Sequence, residues 1–322
     1  MATTSIAANA GKDPGAAARA ATGRKRSEYF SLYLAISPFY ILFAVFGLFP
    51  ILFSAYLSFQ SWNGIGDMKF VGFAQYQFML SDQFFWKSIV NTFQIWFIST
   101  IPMLFFALVI AFMLNQQMLR GRSAYRIAYF IPNVTSIVAI AIIFGSIFSN
   151  QFGLINAGLQ AIGADSIEWL NTPWGIKIAI AAMVIWRWTG YNAIIYLAGL
   201  QAIPTELYEA ARVDGASWVQ VFFRITIPML RPIILFTVIT STIGGMQLFA
   251  EPQVLVGNSG GPGNEGQTMV LYLYEQAFIK NQFGYGAAIG WGLFVIMILF
   301  SLINWRLVQG AGTRGLRRGA RA

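Results

Sequence analysis

QAIPTELYEAARVDGASWVQVFFRITIPMLRP, residues 201 to 232, is a polar, helix-forming island between two long apolar runs. It holds Glu206, Glu209, Arg212, Asp214, Arg224 and Arg231. A greasy chain that keeps a structured, charged loop of this size presents it to a soluble partner, which makes the loop the seat of regulation or energy input. Pro204 suits a first helical position, where a missing N–H costs nothing. Glu206 in the first turn favours the positive end of the helix dipole. Leu207, Ala210 and Ala211 share a face at i, i+3, i+4 spacing. Gly215 is predicted to stop that helix at its C-terminal cap. Ser217 is predicted to cap a second helix, which Pro228 and Pro232 end or bend. The island reads as helix–turn–helix, roughly parallel to a membrane. A merely interfacial amphipathic helix would carry a Lys-rich polar face. This one carries Glu206, Glu209 and Asp214, which favours docking.

The rest of the chain is what makes that island stand out. Of its 322 residues, 57% are hydrophobic and 10% charged, and the mean hydropathy is +0.61. A soluble domain carries roughly a quarter charged residues. With no Cys and no His, disulfides, thiol nucleophiles, Cys/His metal sites and imidazole acid–base chemistry are excluded. The net charge of +9 is read as cations on cytoplasmic loops rather than as affinity for nucleic acid.

Apolar runs predict an all-α integral membrane protein with six spans: about 33–59, 88–114, 127–149, 176–199, 232–250 and 286–308, each near the ~20 residues that cross the hydrocarbon. Residues 1–30 read as a disordered basic tail, 31–87 as the first helix with an external loop, and 88–308 as the main transmembrane domain. Within it, 201–231 is the charged loop; 309–322 reads as a second basic tail. Pro38, Pro50 and Pro102 are tolerated where neighbours satisfy the freed carbonyls. Sixteen of the 21 cations fall on one side: in the N-terminal tail, the loops near 115–126 and 200–231, and the C-terminal tail. Lys69, Lys87, Lys177 and Lys280 fall on the other, and Arg187 lies inside a span. The positive-inside rule then puts both termini and the island in the cytoplasm. The outer loops, 61–76 and 257–268, are Gly-rich and turn-like, and Trp62, Trp169 and Trp174 read as an interfacial belt. Gly286, Gly290 and Gly292 give the sixth span a close-packing face. The sequon Asn133-Val134-Thr135 sits at a span start and reads as chance.

The string Glu209-Ala210-Ala211, three residues, Gly215, nine residues, then Ile225-x-Ile227-Pro228 resembles the "EAA" signature of permease subunits of bacterial ABC importers. Ile227 stands where Leu is usual. LAGLQAIP (197–204), VDGA (213–216), GGPG (260–263), WNG (62–64) and FVGFAQY (70–76) are similar to the binding-protein-dependent carbohydrate branch. The resemblance covers about residues 30 to 308. It implies a type I importer permease fold, a bacterial inner-membrane location, and a coupling helix seated on an ATP-hydrolysing subunit through Glu209, Ala210, Ala211, Asp214 and Gly215. It also implies a second permease, two ATP-binding subunits, an extracytoplasmic solute-binding protein, a sugar substrate and surrounding lipid. ATP and Mg would be held by the partner. In agreement, no G-x4-G-K-[ST] phosphate loop occurs in the chain, so no cofactor is expected on this subunit and no enzymatic role.

Arg187 is costly inside a membrane and marks a functional site by default; a structural Arg on a carbonyl or a Trp is the plain alternative. Its setting, Trp186-Arg187-Trp188-Thr189-Gly190-Tyr191-Asn192, joins aromatic faces with amide and guanidinium donors, as a sugar requires. The resemblance places the substrate path at Asn133, Trp188, Tyr191, Ser241, Gly244, Gly245 and Leu248, with Asn192 and Gln247 nearby. Gly244 and Gly245 replace Phe and Asn of the family, which predicts a roomier pocket. An ion-coupled secondary transporter is the rival. It needs buried carboxylates, whereas all twelve Asp and Glu fall in predicted loops, tails or span edges. A membrane enzyme has little chemistry left to use, and a scaffold leaves Arg187 unexplained.

Overall fold

Long apolar runs in a chain with few charges must satisfy their backbone internally, and helices do so. The computed structural model describes residues 32–115 and 121–319, with side chains left undescribed at 122, 303–305 and 307–319. The basic tail predicted at 1–30 and Arg120 lie outside the described residues. The chain divides into two units, Met1–Tyr56 and Leu57–Ala322. The boundary expected at 87/88 instead falls inside a helix.

Helix α1, Leu32–Leu57, is apolar on every face and long enough to cross a bilayer. Ahead of Pro50 its turn widens over Ala44–Leu48, where the Phe49 N–H bonds Ala44 O. A proline offers no donor to the preceding turn, and the wider register absorbs the misfit.

The second unit begins with a small antiparallel hairpin, β1 (Gln60–Ser61) on β2 (Lys69–Phe70). Helix α2 is Ala74–Ser81. Asp82 breaks the chain, and α3 runs 33 residues, Gln83–Asn115, with Pro102 inside. The third predicted span is not one straight helix. α4 (Arg122–Val134) and α5 (Ile137–Ile147) meet at 93°. Pro132 lacks a donor, and Thr135 bends its hydroxyl back onto Ile131 O at 2.8 Å. Thr135 then takes extended backbone and Ser136 leaves the helical region, which turns the chain. α6 is Leu154–Ala161, and α7 is Pro173–Gln201, with Pro173 at its first position.

α8 is Thr205–Val213. Pro228 and Pro232, expected to end or bend the helix after it, do not end that helix. α9 runs unbroken from Trp218 to Met246, so the fifth span begins fourteen residues before 232. A widened turn at Phe222–Thr226, where the Ile227 N–H bonds Phe222 O, takes up the register ahead of Pro228. The island is therefore one surface helix plus the foot of a span. Gln247 caps α9, and the chain folds back as α10 (Ala250–Val256) instead of continuing to 250 as a span. Turns follow through 257–268, as expected, then α11 (Met269–Ile279) and α12 (Phe283–Gly319). Most of the tail predicted at 309–322 is thus backbone extension of the last helix. Among the described residues, five helices, or six with the bent pair counted as one, are long and apolar enough to span a membrane.

The core sits between α3, α7 and α9. Ala107, Ala111 and Ala193 are fully buried, with Tyr196, Leu197, Leu200 and Leu230 beside them. Small residues let the helix axes approach. At Gly190 the approach is obligatory: an added Cβ would lie 1.7 Å from Tyr129 O on α4. The glycines of the last span pack within this chain. A Cβ on Gly286 would meet Ala277 at 2.6 Å, and one on Gly292 would meet Met79 at 3.1 Å.

Candidate functional site

A cavity of about 490 Å³ opens between α3, α7, α9 and α10, within the range of small-ligand pockets. Arg187, about midway along α7, lines it together with Trp188, Tyr191 and Asn192, one to two turns of a single helix. Ser241, Gly244 and Gln247 enter from the end of α9, and Thr100 and Met103 from α3. Every path position expected from the sequence lines this cavity except Asn133. That residue stays on α4, its amide nitrogen buried and without a partner among the described residues.

Arg187 is neither bonded to a carbonyl nor merely stacked. Its Nη1 donates to Glu251 Oε1 at 2.9 Å, and its guanidinium carbon lies 5.4 Å from the centre of the Trp188 ring. Glu251 is buried, on α10. Sequence reasoning left it at a span edge, yet a lone intramembrane Arg followed later by a Glu just past an apolar run was the available signal. The argument against an ion-coupled transporter from absent buried carboxylates therefore fails. Trp188 and Tyr191 meet edge to face at 5.7 Å, offering flat apolar surface beside polar groups. Asn192 Nδ2 donates to Trp188 O at 3.0 Å, which fixes the amide.

The two glycines behave differently. A Cβ on Gly244 would meet nothing within 4 Å, so this position is open. A Cβ on Gly245 would lie 2.5 Å from Trp96 Cδ1. The indole of Trp96 occupies the space that Gly245 leaves, and only Gly244 enlarges the pocket.

The island shows a second kind of surface. Pro204 is the extended residue before α8 rather than its first member. The helix closes with a Schellman cap: Ala216 N–H bonds Ala211 O at 2.9 Å and Gly215 N–H bonds Arg212 O at 3.0 Å. Gly215 holds φ +72°, a conformation that glycine adopts without strain. Ser217 and Gln220 form a capping box at the foot of α9. The inward side of α8 is buried Ala211 and half-buried Tyr208, which packs against the cluster that holds Ile203, not Leu207 and Ala210. Those two face outward with Glu209 and Asp214. No side chain among the described residues forms an ion pair with Glu206, Glu209 or Asp214. Val213 is 88% and Trp218 71% exposed.

The outer loops are pinned by charge. Glu265 takes Lys177 at 2.7 Å and Lys87 at 2.8 Å, tying the turn region to the starts of α7 and α3. Burial pushes the Glu265 carboxyl up, but hydrogen bonds and charge from Lys177 and Lys87 outweigh it and hold it below its usual value. Trp62 and Trp169 donate their indole N–H groups within these loops, to Gly66 O and Asn156 Oδ1. Trp174 is the exposed indole of the three.

The family described as binding-protein-dependent transport system inner membrane component matches residues 79–311. The chain belongs to that family. A lactose transport system permease protein from Rhizobium radiobacter is 41% identical, over 85% of this chain and 92% of its own length. An arabinooligosaccharides transport system permease protein from Bacillus subtilis is 38% identical, over 85% and 87%. In fold, the chain is similar to a crystal structure of a bacterial ABC transporter involved in import of the acidic polysaccharide alginate. The TM-score is 0.78 at 23% identity, over 89% of this chain and 98% of that one. This permease has the ABC importer transmembrane fold and is a transport component, not an enzyme.

Proposed function

We propose that this permease forms half of the translocation path of an ATP-driven sugar importer, with a di- or oligosaccharide as cargo. The observation that carries the reading is the cavity midway along α7, where two aromatic faces stand beside guanidinium, amide and hydroxyl groups. A sugar ring has apolar faces and many hydroxyls, and such a lining serves both. Relatives are named for lactose and for arabinooligosaccharides, and another for sulfoquinovosyl glycerol, so their cargoes differ in size and charge.

Energy enters from a separate chain. The exposed carboxylates of Glu209 and Asp214, the adjoining Ala210 and the cap at Gly215 make a surface that suits a cleft on an ATP-binding subunit, while Ala211, expected on that surface, is buried and anchors the helix from beneath. Two such subunits, holding ATP and Mg, a second permease and a solute-binding protein complete the assembly. A periplasmic partner is in keeping with the structure of an alginate ABC transporter in complex with a pentasaccharide-bound periplasmic protein, similar in fold at TM-score 0.76. The cation distribution favours both termini and residues 201–232 facing the cytoplasm.

The test is uptake by the assembled transporter across a sugar panel with Tyr191→Ala and Ser241→Trp. Altered selection or flux with intact ATPase assembly supports the path. Unchanged transport by both variants moves it elsewhere. Labelling of residues 204–224 from outside the cell would overturn the orientation.

A further inference from the structure

We propose that the Arg187–Glu251 pair makes this cavity selective for uncharged sugars, its two charges cancelling while Arg187 keeps donors for substrate hydroxyls. The proposal rests on the reading of the cavity as a sugar path and adds the charge class of the cargo.

Three observations converge. First, Arg187 and Glu251 are the formally charged groups among the cavity's described lining residues, and they are joined at 2.9 Å. The lining thus carries no net charge. Second, Glu251 is 5% exposed and is bonded to the guanidinium that an acidic sugar would seek. Arginine binds carboxylates strongly, often through two parallel N–H bonds. Here the protein supplies that carboxylate itself. An acidic cargo must displace Glu251 or lie beside it, and like charges repel strongly in a poorly solvated site. A neutral sugar meets no such barrier. Third, Arg187 Nε is buried and has no partner among the described residues. A buried donor left unmade is costly. The Arg187 side chain as a whole is 20% exposed and lines the cavity, so an arriving sugar hydroxyl can take a guanidinium N–H that Glu251 leaves free, with Trp188 and Tyr191 flanking the ring.

A purely structural ion pair would hold α10 against α7 and leave selectivity untouched, so the test reads selectivity. Binding of lactose, arabinobiose and maltose, as neutral probes, and of digalacturonate, as the acidic probe, is measured on the assembled transporter in nanodiscs. Wild type is expected to bind at least one neutral probe and to reject digalacturonate. Glu251→Gln keeps the shape but frees the cation, and should raise affinity for digalacturonate relative to the neutral probe at least ~10-fold. The double variant R187Q/E251Q holds no lone buried charge, so it remains testable if the single variant does not assemble. It should lose neutral-sugar affinity about 10-fold while still rejecting the acid. An unchanged neutral-to-acid ratio in E251Q overturns the proposal, as does wild-type neutral affinity in the double variant. A wild type that prefers digalacturonate does so as well. A wild type that binds none of the four probes removes the sugar reading, and this proposal with it.

Discussion

Two regions of this permease handle charge in opposite ways. Around the cavity and the 257–280 stretch, charges are answered inside the chain: Arg187 by Glu251, Lys87 and Lys177 by Glu265, Lys280 by Glu275. On α8 and the foot of α9, Glu206, Glu209 and Asp214 stand beside exposed Val213 and Trp218 with no ion-pair partner among the described residues. A buried charge must find its partner at home because desolvation is costly. An exposed one can wait for another molecule. The contrast separates what holds the subunit together from the surface that, on the proposed function, would join it to its source of energy.

The largest way to break that contrast is Glu251→Ala. It leaves the half-buried Arg187 unpaired, at a cost of up to about 3 kcal/mol, and should appear as a lower unfolding temperature and less protein in the membrane. Wild-type stability would mean that the pair is not structural. Glu209→Lys is the mirror experiment. Reversing a charge at a docking surface costs about 2–5 kcal/mol, so uptake should fall at least ~10-fold while membrane level and stability stay unchanged. Normal ATP-coupled uptake would remove the docking assignment. Gly215→Ala is smaller. A Cβ there meets no neighbour within 4 Å, so the penalty is the left-handed backbone alone, about 1–2 kcal/mol. Weakened coupling, seen as ATPase activity exceeding transport, is the expected result, and Gly215→Pro should uncouple more fully. The gentlest change is pH. Glu265 is held below the ordinary carboxylate value of 4.5, so its contribution is complete above that value and fades as pH falls through the lower folded one. Protease resistance of the 257–268 turns should decline in that acid window, and Glu265→Gln should remove the dependence.

Local rules carried far along this sequence. Gly215, Ser217 and the turn-rich 257–268 stretch behave as short-range chemistry dictates, because caps and turns are settled within a few residues. Most of the cavity was legible too, since Trp188, Tyr191 and Asn192 share one helix. What escaped required tertiary knowledge. Pro228 reads as an end or a bend until a widened turn absorbs it, whereas 127–149 reads as one span until Pro132 and Thr135 complete a 93° break. Glu251 reads as a span-edge residue until α10 folds back to set it against Arg187, 64 positions away. Gly245 reads as empty space until Trp96 fills it.

Because α9 does not stop at its prolines, the capping box at Ser217 and the cavity residue Ser241 belong to one continuous shaft. Its length from Trp218 to Ser241 is about 35 Å at ~1.5 Å per residue. Tilting such a shaft by about 5° sweeps its far end by roughly 3 Å, on the order of a hydrogen-bond length. A nudge delivered at the foot is thus enough, by leverage alone, to shift Ser241 against the other walls of the cavity by that distance.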